Sequence, residues 1–156
     1  MLHAALQYAA LGWHVFPYTA GQKKPATPNG FKDATTHEAT VRRWWTTNPL
    51  FNIGLATDEI TGIIALVIDP RHHGDMVIEA ILDEHGPLPD GYYESHIGGC
   101  GRHYLSAYDG EAHVDLADDV EVESKGRYII VRPSIHPNRK SYEWEFSSSP
   151  LKDYET

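Results

Sequence analysis

The stretch Ile63-Ile64-Ala65-Leu66-Val67-Ile68-Asp69-Pro70-Arg71 constrains the fold more than any other part of the chain. Six apolar residues run without a polar break and deliver one carboxylate, after which Pro70 prevents further donation to a ladder. Bounded by Gly62 and Pro70, the run predicts a central strand covered on both faces, where an unpaired charge is costly. Asp69 therefore belongs at the mouth of the sheet, where it either serves a site or merely opens a turn before Pro70.

A chain of 156 residues, 41% of them hydrophobic, has enough apolar surface for one self-sufficient domain, since a domain of this size buries roughly two thirds of its unfolded-chain surface. The globular part is expected over residues 1–146, with 147–156, which opens on Ser147-Ser148-Ser149-Pro150, as a C-terminal tail. Twenty-two acidic against thirteen basic residues give a net charge of -9. That balance excludes tight non-specific attachment to a polyanion through the bulk surface, so any nucleic-acid contact must be local or helped by a divalent metal. The single cysteine, Cys100, excludes an internal disulfide framework. The N-terminus carries neither a basic region followed by an apolar one nor a long apolar span, so a reducing, cytoplasmic setting without membrane contact is expected.

Local patterns alternate helix and strand early and turn to strands late. Leu2, Ala5, Leu6, Ala9 and Ala10 fall at helical spacing before Gly12, and Trp13 to Pro17 predicts a strand stopped by proline. A polar loop over 20–31 contains Lys23-Lys24-Pro25, and a second helix from Thr36 carries the stripe Val41, Trp44 and Trp45 up to Asn48-Pro49. At that spacing the two tryptophans belong to the core and not to a base-stacking platform. Asn52 to Thr57 predicts a short strand joined to the central one by a hairpin connection over Asp58 to Gly62. Beyond Asp69, Met76 to His85 predicts a helix, and Tyr92 onward a strand, which makes a β-α-β progression. Further strands follow at Arg102 to Tyr108, Val120 to Glu123 and Tyr128 to Val131.

Three features carry chemistry. Asp69 and Glu121, the latter in the alternating Val120-Glu121-Val122-Glu123, are placed to converge on a hard divalent ion, unless that strand is only a solvent-facing edge. The glycine-rich Gly98-Gly99-Cys100-Gly101-Arg102-His103 lets backbone amides approach an anion, with Arg102 and His103 adding donors for phosphate. Ser134 and His136, in Arg132-Pro133-Ser134-Ile135-His136-Pro137, share a direction at a strand end. The adjacent His72-His73 pair has no partner at the spacing a structural zinc site needs, and no Gly-x-Ser-x-Gly elbow supports a serine hydrolase.

In order along the chain stand Tyr8 to Pro17, Lys24-Pro25, Gly30 to Thr35, Trp44, Asn52 to Thr57, Gly62 to Arg71, Gly98-Gly99 with Arg102-His103-Tyr104, and Gly126-Arg127-Tyr128 leading to Pro133-Ser134-Ile135-His136. Together they resemble the N-terminal domain of bifunctional DNA primase/polymerases, over about residue 4 to Trp144. The resemblance implies an α+β fold of the archaeo-eukaryotic primase type, with an N-terminal α/β unit beside a sheet like that of the RNA-recognition motif and a nucleotide site between them. It also implies template-directed nucleotidyl transfer in DNA replication, in a phage or plasmid setting, with Mg2+ or Mn2+. The implied partners are nucleoside triphosphates, single-stranded or primed DNA bound weakly, and a helicase carried C-terminally or separately.

Carried over residue by residue, the resemblance makes Asp69 and Glu121 metal ligands and catalytic residues, and Arg102 and His103 the group that holds the incoming phosphates, His103 being catalytic as well. Ser134 and His136 fall near the nucleotide. Arg132 stands where a proline is usual, and His73 where a glycine is usual. The family's first motif asks for two acidic residues one residue apart, and this chain has Val67 and Asp69 there. A methyl-tipped side chain offers no oxygen to a cation that prefers oxygen ligands. Asp58, Asp75 or Glu123 would have to replace it. Failing that, the chain is a non-enzymatic module that keeps the fold to bind nucleotide, nucleic acid or a protein partner.

Overall fold

A computed structural model describes residues 1–68, 73–87, 93–97, 101–107, 114–117, 120–123, 126–145 and 148–151, with backbone only at 74, 75, 81, 85, 97, 114–117 and 120–123. It is an α+β arrangement of two antiparallel sheets. The elements run α1 (Leu2–Ala10), β1 (Val15–Thr19), β2 (Lys24–Pro25), a 3-10 turn (Gly30–Asp33), α2 (Glu38–Thr47), β3 (Asn52–Thr57), β4 (Ile63–Ile68), α3 (Gly74–His85), β5 (Tyr93–Ile97), β6 (Arg102–Ala107), β7 (Val114–Ala117), β8 (Val120–Glu123), β9 (Arg127–Val131) and β10 (Tyr142–Trp144). One sheet has the order β2-β1-β3-β9 and the other β10-β5-β6-β4-β8-β7.

The run 63–68 is the interior strand β4, paired with β6 on one side and β8 on the other. Its alternate residues serve two cores. Ile63, Ala65 and Val67 join the main core with Val15, Ile53, Leu55, Val41 and Trp45, whereas Leu66 and Ile68 pack against Ile78, Val77 and Leu82 of α3. Because β4 and β5 are both antiparallel to β6, they run parallel to each other, and β4-α3-β5 is the expected β-α-β progression with a strand inserted between its arms.

Three local expectations are corrected. Residues 58–62 do not close a hairpin, because β3 is buried along its whole length and already paired on both edges by β1 and β9. Instead they carry the chain from one sheet to the other, with the Asp58 carboxylate accepting the Ile60 and Thr61 N–H groups and Gly62 at φ 76°. Pro17 does not stop β1. Its carbonyl accepts the Ala26 N–H on the β2 side, and the N–H it lacks falls on that same short flank, while β3 pairs the other side. The strand holding Glu121 is not an edge, since β7 lies outside it.

Strand β9 returns from late in the chain to the first sheet, so the two sheets are stitched by three crossings. An aromatic cluster fixes them to α1: Tyr8 stacks on Trp13 at 5.9 Å, Trp13 meets Tyr93 edge-on at 5.5 Å, and the Trp144 indole N–H donates to the Tyr8 hydroxyl. That hydroxyl donates in turn to the Arg132 carbonyl at 2.8 Å. Leu151 is buried in the main core and the Ser148 hydroxyl accepts the Glu94 N–H, so packing continues past Ser147.

Candidate nucleotide site

The site is built on β4. Val67 is registered opposite His103 of β6 on one flank and Glu121 of β8 on the other. The row continues outward through Ser95 and Trp144 beyond His103, and through Asp115 beyond Glu121. Neighbouring strands lie about 4.8 Å apart, so Trp144, Ser95, His103, Val67, Glu121 and Asp115 form one line across the sheet. Asp69, the next residue of this parity, lies outside the described residues, as do Pro70 to His72, Gly98 to Cys100 and the side chain of Glu121.

His103 is 7% exposed, and its Nδ1 meets no partner among the described residues. The Ser95 hydroxyl opposite it is likewise buried and unpartnered. Burial pushes the His103 imidazole down to about 4 from the usual 6.5, which keeps it neutral near pH 7. The folded state therefore refuses a proton that the unfolded chain accepts below pH 6.5. Stability from this residue is intact above pH 6.5 and is lost as pH falls toward 4, on the order of 3 kcal/mol across that window. Urea unfolding from pH 7.5 to 4 is expected to show a shallower pH dependence for His103→Gln than for the parent. Superimposable profiles would mean that His103 is not held neutral by burial.

Arg102 and His103 do not share a pocket wall. Adjacent residues of a strand leave opposite faces, and Arg102 is exposed beside Glu94 at 3.6 Å while His103 faces the row.

The second half of the site comes from the loop between β9 and β10. Ser134 is fully buried, its hydroxyl accepting the Ile53 N–H at 2.8 Å, and the Asn52 amide exchanges two hydrogen bonds with the Ile135 backbone. Ser134 and His136 therefore do not act side by side: Ser134 ties the loop to β3, and His136 stands at the surface of a cleft. His136 Nδ1 accepts the Asn138 N–H at 3.2 Å, which places the proton of its neutral form on Nε2. Tyr142 joins the two halves, its ring 6.2 Å from His103 and 5.9 Å from His136.

Beside His136 and Tyr142 opens a cleft of about 180 Å³ lined also by Tyr18, Lys23, Asn52 and Ile130. Burial and the neighbouring Tyr128 hydroxyl, to which it is hydrogen-bonded, push the Tyr18 phenol well above its usual range, so it stays uncharged. Tyr142 escaped notice in the sequence, where only the alternation of Tyr142-Glu143-Trp144 hinted at it, and Lys23 stood out only as part of a polar loop, with nothing local to pair it with His136.

Among the described side chains none supplies the carboxylate missing at Val67. Asp58 is committed to its turn at the opposite end of β4. Asp75 belongs to α3, which covers the other face of the sheet. Glu123 is registered opposite Ala65, two residues along from Val67. Asp115 shares the row but stands two strands from β4. Among the described residues no three His, Cys, Asp or Glu side chains gather to hold a metal ion. Val67, half-buried at the centre of the row, gives no oxygen to the two-ion arrangement that the resemblance implies.

Among the described residues no helix is long and apolar enough to cross a membrane. No curated protein matches the chain. The family model for the N-terminal domain of bifunctional DNA primase/polymerase matches residues 5–154. With the two-sheet fold, the interior strand that leads to Asp69 and the row through His103 in place, the chain belongs to the family of bifunctional DNA primase/polymerase N-terminal domains.

Proposed function

We propose that this primase/polymerase domain binds a nucleoside triphosphate between its two sheets, on the His103 side of the Val67 row, and that it is impaired in nucleotidyl transfer. The observation that carries the reading is the register itself, which sets a buried, neutral histidine and Glu121 on either side of a valine. In this reading the six-stranded sheet, with α3 on one face, is the half related to the RNA-recognition motif.

The chain's own residues divide the work by environment. A neutral imidazole in a dry surrounding gives an N–H to a phosphate oxygen, and that hydrogen bond gains strength from the low local dielectric. His136 offers its Nε2 proton from the loop between β9 and β10, which Ser134 and Asn52 hold in place. Arg102 leaves the opposite face of β6, so its part is confined to the mouth of the site. Asp69 and Glu121 are left to hold at most one weakly bound Mg2+ or Mn2+. Val67 equally favours a non-catalytic nucleotide- or nucleic-acid-binding module, and primer extension by a Val67→Asp chain separates the two.

Calorimetric titration with a nucleoside triphosphate tests the binding. His103→Ala is expected to lose about 1.5 to 3 kcal/mol, the worth of one hydrogen bond to a charged group, and Arg102→Ala less, because it is solvated and already beside Glu94. Unchanged affinity in the double variant would place the triphosphate elsewhere.

A further inference from the structure

Two tight turns border the Tyr18 cleft, and each puts a cationic residue in a backbone conformation that normally selects glycine. Lys23, at the end of the β1–β2 turn, has φ 52°, and Arg139, in the turn after His136, has φ 70°. Only one other non-glycine residue of the described chain, His73, has a positive φ. Side chains with a Cβ occupy that region at a cost, and such outliers gather where a side chain is needed in one place. Lys23 lines the cleft directly, and Arg139 closes the turn whose His136 and Pro137 line it, its N–H donating to the His136 carbonyl.

The local chemistry runs against the rest of the molecule. In a chain of net charge -9, Lys23, Lys24, His136, Arg139 and Lys140 fall on these two turns and the start of β2. Glu143, the acidic residue nearest in the chain, is held by Arg132 at 2.7 Å and bonded to the Ser141 hydroxyl. The cleft floor supplies the His136 Nε2–H beside the uncharged Tyr18 hydroxyl, which is bonded to Tyr128, and the loop is anchored to β3 through Asn52 and Ser134.

We infer that this cleft is a phosphate-binding subsite in which Lys23 and Arg139 clamp an anion over His136 and Tyr18. The inference deepens the nucleotide-binding reading and depends on its phosphate recognition, not on nucleotidyl transfer. The phosphate comes either from a nucleoside triphosphate or from the backbone of a single DNA strand, and the cationic rim recognises both by the same charge-assisted contacts.

Glycine is the informative substitution, because it removes each cation while suiting the backbone. A Lys23→Gly/Arg139→Gly variant is expected to melt at or above the temperature of the parent and to bind at least tenfold more weakly to one of two probes: a nucleoside triphosphate by calorimetry, or a fluorescent oligothymidylate by anisotropy. Weakening confined to the first assigns the subsite to the nucleotide. Weakening confined to the second, with the salt slope reduced by about 1.4 for two lost contacts, assigns it to the strand. The charge-matched Lys32→Ala/Arg43→Ala variant, altered at exposed positions off the cleft, is expected to stay within twofold of the parent. Parental affinity of the glycine variant for both probes would overturn the inference, and a His103→Ala variant that still lost triphosphate binding would leave the broader reading standing. Equal weakening by the control would reduce the effect to bulk charge and overturn it too. A parent chain that bound neither probe would end both.

Discussion

Replacing Val67 by aspartate is expected to give a chain that extends a DNA primer in the presence of manganese, where the parent gives little or no product. Residue 67 sits on the centre strand between His103 and Glu121, so an aspartate there joins the row that those two residues define. The substitution adds the oxygen ligand that valine cannot provide. It also places a carboxylate beside Glu121 at a half-buried position that now packs against the main core. The metal-free variant should therefore be less stable by about 1 to 3 kcal/mol, with manganese recovering part of that loss through binding to the folded state. The measurements are primer extension and manganese-dependent melting for the parent, Val67→Asp and Asp69→Ala. Strong extension by the parent that vanishes in Asp69→Ala would show that another residue supplies the ligand, with Asp115 the first to examine because its register places it in the row. Silence from Val67→Asp, despite tighter manganese binding, would favour the non-catalytic module.

Trp45→Ala is expected to cost about 3 to 5 kcal/mol, a large part of the margin of a domain this size. Trp45 is 1% exposed, lies in the main core with Val41, Ile53 and Leu55, and spends its indole N–H on the Phe51 carbonyl at 2.9 Å. Truncation opens a cavity and leaves that carbonyl without its donor. Trp44, the next residue, is only half-buried and meets Trp45 edge-on at 6.3 Å, so Trp44→Ala should cost roughly 1 to 2 kcal/mol. Chemical denaturation gives both values. Neither variant should lose single-strand binding beyond its loss of folded protein. A well-folded Trp44→Ala chain with strand affinity abolished would make Trp44 a stacking residue after all.

Much of this protein is legible in the order of its residues. The unbroken apolar run 63–68 had to be an interior strand, because no other placement covers both sets of its side chains, and α3 with the main core does so. The α1 and α2 stripes followed from helical spacing, and the family from several short motifs in order. The missing carboxylate at Val67 is likewise a fact of sequence.

Pairing partners were not legible. Whether residues 58–62 turn a hairpin or cross between sheets depends on which edges β1 and β9 have already taken, and β9 is seventy residues further along. Alternation in Val120 to Glu123 reads the same on an edge as in an interior strand, and only β7 decided between them. The difference between Ser134 and His136 is of this kind too: the two have equal standing in the sequence, yet one faces the Ile53 N–H and the other a cleft. Sequence fixes what a side chain can do within a few residues of itself. Contacts separated by tens of residues depend on long-range closure, and that alone brought Tyr18, Lys23, His136 and Tyr142 to one place.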